Sequence, residues 1–75
     1  MSAQQDFDVI AGHTLKLARH SAGLSQDDLA QALAAFGFPM HQQTILKIEK
    51  GSRPIKLAEA FAIAEVFREV NRDTC

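Results

Sequence analysis

Residues 25–51 read Ser25-Gln26-Asp27-Asp28-Leu29-Ala30-Gln31-Ala32-Leu33-Ala34-Ala35-Phe36-Gly37-Phe38-Pro39-Met40-His41-Gln42-Gln43-Thr44-Ile45-Leu46-Lys47-Ile48-Glu49-Lys50-Gly51, and this stretch decides the fold. Leu29, Ala30, Leu33 and Phe36 recur at helical spacing and supply a buried face. Ser25 and Asp28 have the spacing of a capping box, with Asp a short substitute for the usual Glu or Gln. Gly37 closes this helix and Phe38-Pro39 prevents its continuation. A second helix is predicted from about His41 to Lys50, ended by Gly51, with either Met40 or His41 at its N-cap. Its apolar positions are few: Ile45 and Ile48, with Leu46 off that stripe. The rest (His41, Gln42, Gln43, Thr44, Lys47, Lys50) is polar or cationic. Such a helix buries one narrow edge and offers an amide-rich face to something else.

The flanks are helical too. Phe7, Ile10, Ala11, Leu15, Ala18 and Ala22 predict one face of a helix over about Asp6 to His20, with Gly23 placed to stop it. Asp6 and Asp8 near its start and Arg19 and His20 near its end suit the helix dipole. Ser52-Arg53-Pro54 is a loop, and Lys56 to about Asn71 is helical again, as one helix or as two with a bend. Leu57, Ala60, Ala64 and Phe67 form one stripe there. Phe61, Ile63, Val66 and Val70 widen it beyond what a small core needs. Phe61, Val66 and Val70 are therefore the candidate dimer surface; the plainer alternative is an ordinary core under a folded C-terminal turn. β-branched residues are scattered, which predicts no strands.

Composition narrows the class. Seventy-five residues, 47% of them hydrophobic, make one domain over 1–75. The lone Cys75 excludes an internal disulfide and a multi-cysteine zinc site, and reads as a free terminal thiol or the mark of a truncated chain. No apolar run is long enough to span a bilayer. The Met-Ser-Ala-Gln-Gln-Asp start lacks a secretory signal, so a reducing cytoplasm is expected. His13 and His20 stand two helical turns apart, roughly 10 Å, too far to share a metal. Ser21 and Ser25 have no His and acid beside them, and the glycines stand singly, so no catalytic group, metal or cofactor is expected.

The net charge is −1, with eight Lys and Arg against nine Asp and Glu. Its distribution says more. Between His41 and Lys56, Lys47, Lys50, Arg53 and Lys56 face only Glu49, which makes one positive face on a near-neutral molecule. Two helices joined by a turn, the second polar and cationic, form a helix-turn-helix over about 25–51, followed by a C-terminal helix over about 56–71. The major groove of B-DNA admits a helix and shows a distinct donor and acceptor pattern for each base pair. Gln42 and Gln43, in the first turn, carry the carboxamides that pair with adenine, and Lys47 lies one turn beyond Gln43. Leu46 is placed either for a thymine methyl or against Phe38. Lys50, Ser52, Arg53 and Lys56 can hold phosphates, with His41 and Thr44 beside them. The bland alternative is a solvated helix face.

The strings Leu24-Ser25-Gln26-Asp27-Asp28-Leu29-Ala30 and Ile45-Leu46-Lys47-Ile48-Glu49-Lys50-Gly51, in register, resemble the lambdoid phage repressor and Cro family, the xenobiotic-response-element class of helix-turn-helix regulators. The resemblance runs from about Ile10 to Phe67. It implies an all-α, lambda-repressor-like bundle of four to five helices with the third as reader, a geometry described for these repressors in general. It implies base contacts from Gln42 and Gln43, with Lys47 reaching further into the groove. It also implies a phosphate contact from Gln26, which would brace Gln42, and a buried ion pair between Arg19 and Glu49. Ala34 to Met40 is longer than in the phage proteins, either as an extra turn of helix or as a bulge anchored by Phe36 and Phe38. The expected function is a sequence-specific repressor of bacterial or phage origin, nucleoid-associated, binding a pseudo-palindromic double-stranded operator as a homodimer. Two rivals are an antitoxin with a toxin partner and a protein-interaction module that binds no DNA.

Overall fold

Glycine punctuates the chain at residues 23, 37 and 51, and each marks the end of a helix. The computed structural model describes residues 3–72, with side chains from residue 6 onward; Cys75 lies outside the described residues. Four helices follow in order: α1 (Ala3–Ser21), α2 (Gln26–Ala35), α3 (Gln42–Glu49) and α4 (Leu57–Arg72). There is no strand among the described residues, and none of the helices is long and apolar enough to cross a membrane. The fold is the all-α bundle expected, with α4 continuous.

The ends of α1, α2 and α3 share one device. The amides of Leu24, Phe38 and Ser52 donate to the carbonyls of Arg19, Leu33 and Lys47, and those of Gly23, Gly37 and Gly51 donate to His20, Ala34 and Ile48. These paired bonds are Schellman motifs, which satisfy carbonyls the helix leaves open. Gly51 is doubly constrained. Its φ is +78°, a region that side chains disfavour, and a Cβ there would lie 2.8 Å from Val9 Cγ2.

The start of α2 carries the expected capping box. Ser25 Oγ accepts from the Asp28 amide at 2.9 Å, and Asp28 Oδ2 accepts from the Ser25 amide at 3.0 Å. These bonds hold the Asp28 carboxyl below its ordinary range. The segment 34–40 adds no turn to α2. The helix stops at Ala35, and the chain runs on to His41, the N-cap of α3, at φ −69° and ψ 147°.

The core is Leu15, Leu29, Leu33, Met40, Ile45, Ile48, Ile63 and Val66, with Leu24, Phe38, Ile55, Phe67 and Val70 packed partly buried against it. Leu29, Leu33, Ile45, Ile48 and Val66 are wholly enclosed; each such side chain contributes about 1.5–3 kcal/mol of burial. α1 packs on α3, and α2 packs on α3 and α4.

Three expectations are corrected here. On α1, Phe7 and Ile10 are exposed, and the buried stripe is Gly12, Leu15 and Arg19. The helix has two adjacent apolar-capable faces, and the one that admits closest approach to α3 turns inward. On α2, Phe36 is half exposed, because the helix ends beneath it. On α4, the inward stripe is Glu59, Ile63 and Val66, while Leu57 and Phe61 face outward. Val66, at 1% exposure, is core and not a dimer surface, and Val70 packs against that core. A carboxylate at Glu59 argues from sequence for an outward face; the fold buries it by pairing it with Arg53.

Candidate nucleic-acid interface

Helix α3 is held at one end and free at the other. Ile45 and Ile48 fix its inner edge. At its last turn, the guanidinium of Arg19 grips Glu49 with two bonds, Nε to Oε2 at 2.7 Å and Nη2 to Oε1 at 3.0 Å. Arg19 Nη1 also donates to the Leu24 carbonyl at 2.9 Å. The two side chains are 8% and 3% exposed. Arg19 thus ties α1, the α1–α2 turn and α3 together, and a bidentate pair of this kind fixes orientation as well as distance.

The same last turn meets α1 at Gly12. A Cβ placed on Gly12 would overlap the Ile48 carbonyl oxygen and come 3.1 Å from the Glu49 carbonyl carbon. Only a hydrogen fits, so α1 and α3 cross with backbone against backbone. The sequence reading missed Gly12. Its signal was a lone glycine inside a helical pattern with no capping duty, which points to a close approach.

The first turn of α3 is open. His41, Gln42, Gln43 and Lys47 are exposed, and Thr44 and Leu46 are half-buried. His41 caps the helix through its backbone carbonyl, and its side chain makes no capping bond. Among the described residues, the carboxamides of Gln42 and Gln43 make no hydrogen bond, and Lys47, Lys50 and Lys56 form no ion pair. Gln26 is placed differently from expectation. Its Nε2 donates to Glu49 Oε1 at 3.1 Å, so it braces the Arg19–Glu49 pair rather than Gln42. The ionised Glu49 carboxylate is the stronger acceptor, and it already sits beside α2.

The loop after α3 carries a second clamp. Ser52 Oγ donates to the Lys47 carbonyl at 3.1 Å. Arg53 Nη1 and Nη2 each donate to Glu59 at 2.8 Å, and the Lys56 amide donates to Glu59 Oε1 at 2.9 Å. Glu59 therefore both caps the start of α4 and neutralises Arg53, a role that the sequence reading did not assign. The bonds from Arg53 outweigh burial and hold the Glu59 carboxyl below its ordinary range. Arg53, expected at a phosphate, is already paired, and the Ser52 hydroxyl donates to Lys47, which leaves Lys50 and Lys56 as the cations on this edge without an ion pair among the described residues. Arg53→Ala should cost about 1.5–3 kcal/mol, because it strands a largely buried carboxylate. Urea unfolding measures this, and an unchanged midpoint would show that the clamp is ornamental.

Residues 15–74 match a family model described as helix-turn-helix. The match takes in both clamps, α3 and the C-terminal turns of α1, and it defines the class: a DNA-binding regulatory domain. The chain belongs to the helix-turn-helix family of xenobiotic-response-element and lambda-repressor-like DNA-binding domains. No curated protein and no solved structure matched the chain.

Proposed function

We propose that the domain is a sequence-specific repressor that inserts α3 into the major groove of double-stranded DNA. One observation carries this reading: a helix anchored at its C-terminal turn presents two unpartnered carboxamides, Gln42 and Gln43, at its free first turn, with Lys47 one turn on. Side chains near the N-terminus of such a helix are the ones that reach base edges. Leu46 and Thr44 lie beside them, and Lys50, Ser52, Lys56 and His41 face the phosphates. One copy spans few base pairs, so two copies on a pseudo-palindromic site supply useful affinity. Occupying an operator blocks transcription without any further activity, which favours repression, and the working place is the cytoplasm beside the nucleoid.

The test is selection of duplexes from a random pool, followed by variants on the selected site. Gln43→Ala should weaken the selected site by about 1–3 kcal/mol and leave random duplex nearly unchanged. Lys50→Ala should weaken both alike and reduce the slope of log affinity on log salt by about one. Equal losses for Gln43→Ala on both duplexes would remove it from base reading. A protein that shows no salt-dependent affinity for any duplex would be an interaction module instead.

A further inference from the structure

The connection between α2 and α3 forms a notch of about 270 Å³, lined by Ala34, Pro39, Met40 and His41. Backbone bonds hold it at both ends. On the α2 side the amides of Gly37 and Phe38 donate to the carbonyls of Ala34 and Leu33 at 2.9 Å. On the α3 side the His41 carbonyl accepts from the amides of Thr44 and Ile45 at 3.0 and 3.2 Å. Between them Pro39 has its φ fixed by its own ring, and Met40, 9% exposed, belongs to the core and floors the notch. Ala34, Pro39 and His41 are exposed, so the notch opens to solvent. It does so at the free end of α3, because His41 immediately precedes Gln42 and Gln43. None of the contacts proposed for α3 uses it.

We infer that this notch receives the 5-methyl group of a pyrimidine, at the base pair next to the one that Gln42 meets. The inference rests on the major-groove reading of α3 and adds a subsite to it. Three observations favour a methyl-bearing base edge over the other groups that DNA offers there. The lining holds no Lys, Arg, Asp or Glu, so neither a phosphate nor an exocyclic amine finds a charged partner in it. Its surface is mainly carbon, supplied by Ala34, Pro39 and Met40, and the C5-methyl of thymine is the apolar group that base pairs show in the major groove. The notch is also continuous with the carboxamides along the chain, from Pro39 to Gln43, so one insertion of α3 engages both. Because the connection is already fixed at its two ends, it pays little ordering entropy on contact. Methylation of cytosine at C5 puts a methyl at the same ring position. The notch therefore treats 5-methylcytosine like thymine and rejects cytosine.

Exchange of thymine for uracil, one position at a time in the selected duplex, tests it, since each exchange removes one methyl and leaves the pairing intact. With the wild type, one exchange beside the pairs sensitive to Gln43→Ala should weaken binding about fourfold, which is what burial of one methyl supplies. At that position, 5-methylcytosine paired with guanine should bind about fourfold more tightly than cytosine. Ala34→Leu, at an exposed position of α2, should fill the notch and abolish both ratios, with circular dichroism and affinity for random duplex unchanged. Ala35→Leu, at the exposed neighbour outside the lining, should keep both ratios. Ratios that persist in Ala34→Leu would assign the methyl to another side chain, such as Leu46, and overturn the proposal. So would a wild type with no methyl-dependent position; discrimination lost in Gln43→Ala would then leave the groove reading of α3 standing. A protein without preference among duplexes would remove both.

Discussion

Glu49→Leu should lower the unfolding free energy by about 3–5 kcal/mol, a large part of what a domain of this size possesses. The loss comes less from the attraction removed than from the charge left behind. The Arg19 side chain is 8% exposed, and without Glu49 its guanidinium keeps only the Leu24 carbonyl and the neighbouring His20 ring. The double variant Arg19→Leu/Glu49→Leu should recover much of the stability, because an apolar pair of similar volume is tolerated where a half-pair is not. It should not fully recover DNA discrimination, since the bidentate clamp that orients the last turn of α3 is gone and only the crossing at Gly12 still holds α3 against α1. Urea midpoints of the single and double variants measure this. A single variant as stable as the wild type would mean that the pair is not closed.

The pair also sets a pH dependence. Burial alone raises the Glu49 carboxyl, but the hydrogen bonds from Arg19 and Gln26 and the charges of Arg19 and Lys16 outweigh it, so its folded pKa lies below the ordinary value. Glu59 is lowered as well, chiefly by its bonds from Arg53. A carboxyl with a depressed folded pKa binds fewer protons folded than unfolded. Its contribution is complete above the unfolded pKa and is lost as the pH falls through the folded one, here below about pH 4. Stability should therefore fall on acidification in that range, less steeply in the double variant. A wild-type profile flat to about pH 3 would contradict the closed pairs.

Gly12→Ala should be destabilising by about 2–4 kcal/mol net, although helix propensity by itself favours alanine by about 1 kcal/mol at an interior position. The new methyl meets the Ile48 carbonyl and the Glu49 backbone, and neither can rotate away. Helix α1 must lift off α3, which also pulls Arg19 away from Glu49. The midpoint of thermal unfolding should drop by about 10–20 °C. A variant that melts higher than the wild type would show that the two helices do not cross this closely.

The helices themselves were legible because their signals are local. Ser25 and Asp28 cap α2 through bonds three residues apart, and Gly37 and Gly51 end their helices as placed. Ile45 and Ile48 were correctly read as the narrow buried edge of α3. The faces of α1 and α4 were not legible. Each helix offers two apolar stripes, and counting apolar residues does not choose between them. Glu59 is inward for a reason the sequence does not show, since a carboxylate marks a solvent face unless its partner, six residues away, is seen to reach it. The candidate site divides in the same way. The exposure of Gln42, Gln43 and Lys47 follows from the pattern of α3 alone, whereas the bracing of Glu49 by Gln26 depends on how α2 lies against α3.

Sequence alone determined the order of the described helices, the glycines that end the first three, and which segment presents amides and ammonium groups; it left open whether the last segment is one helix or two. Caps, breakers and a sparse apolar edge are set within a turn or two of chain, where bond geometry leaves few alternatives. Tertiary structure alone decided which stripe of α1 and of α4 turns inward, that Gly12 is a point of contact and not a weakness, that Arg53 is engaged by a carboxylate, and that Phe61 rather than Val66 stands outside. Those outcomes depend on distances between residues far apart in the chain, and they are fixed only when the helices close on one another.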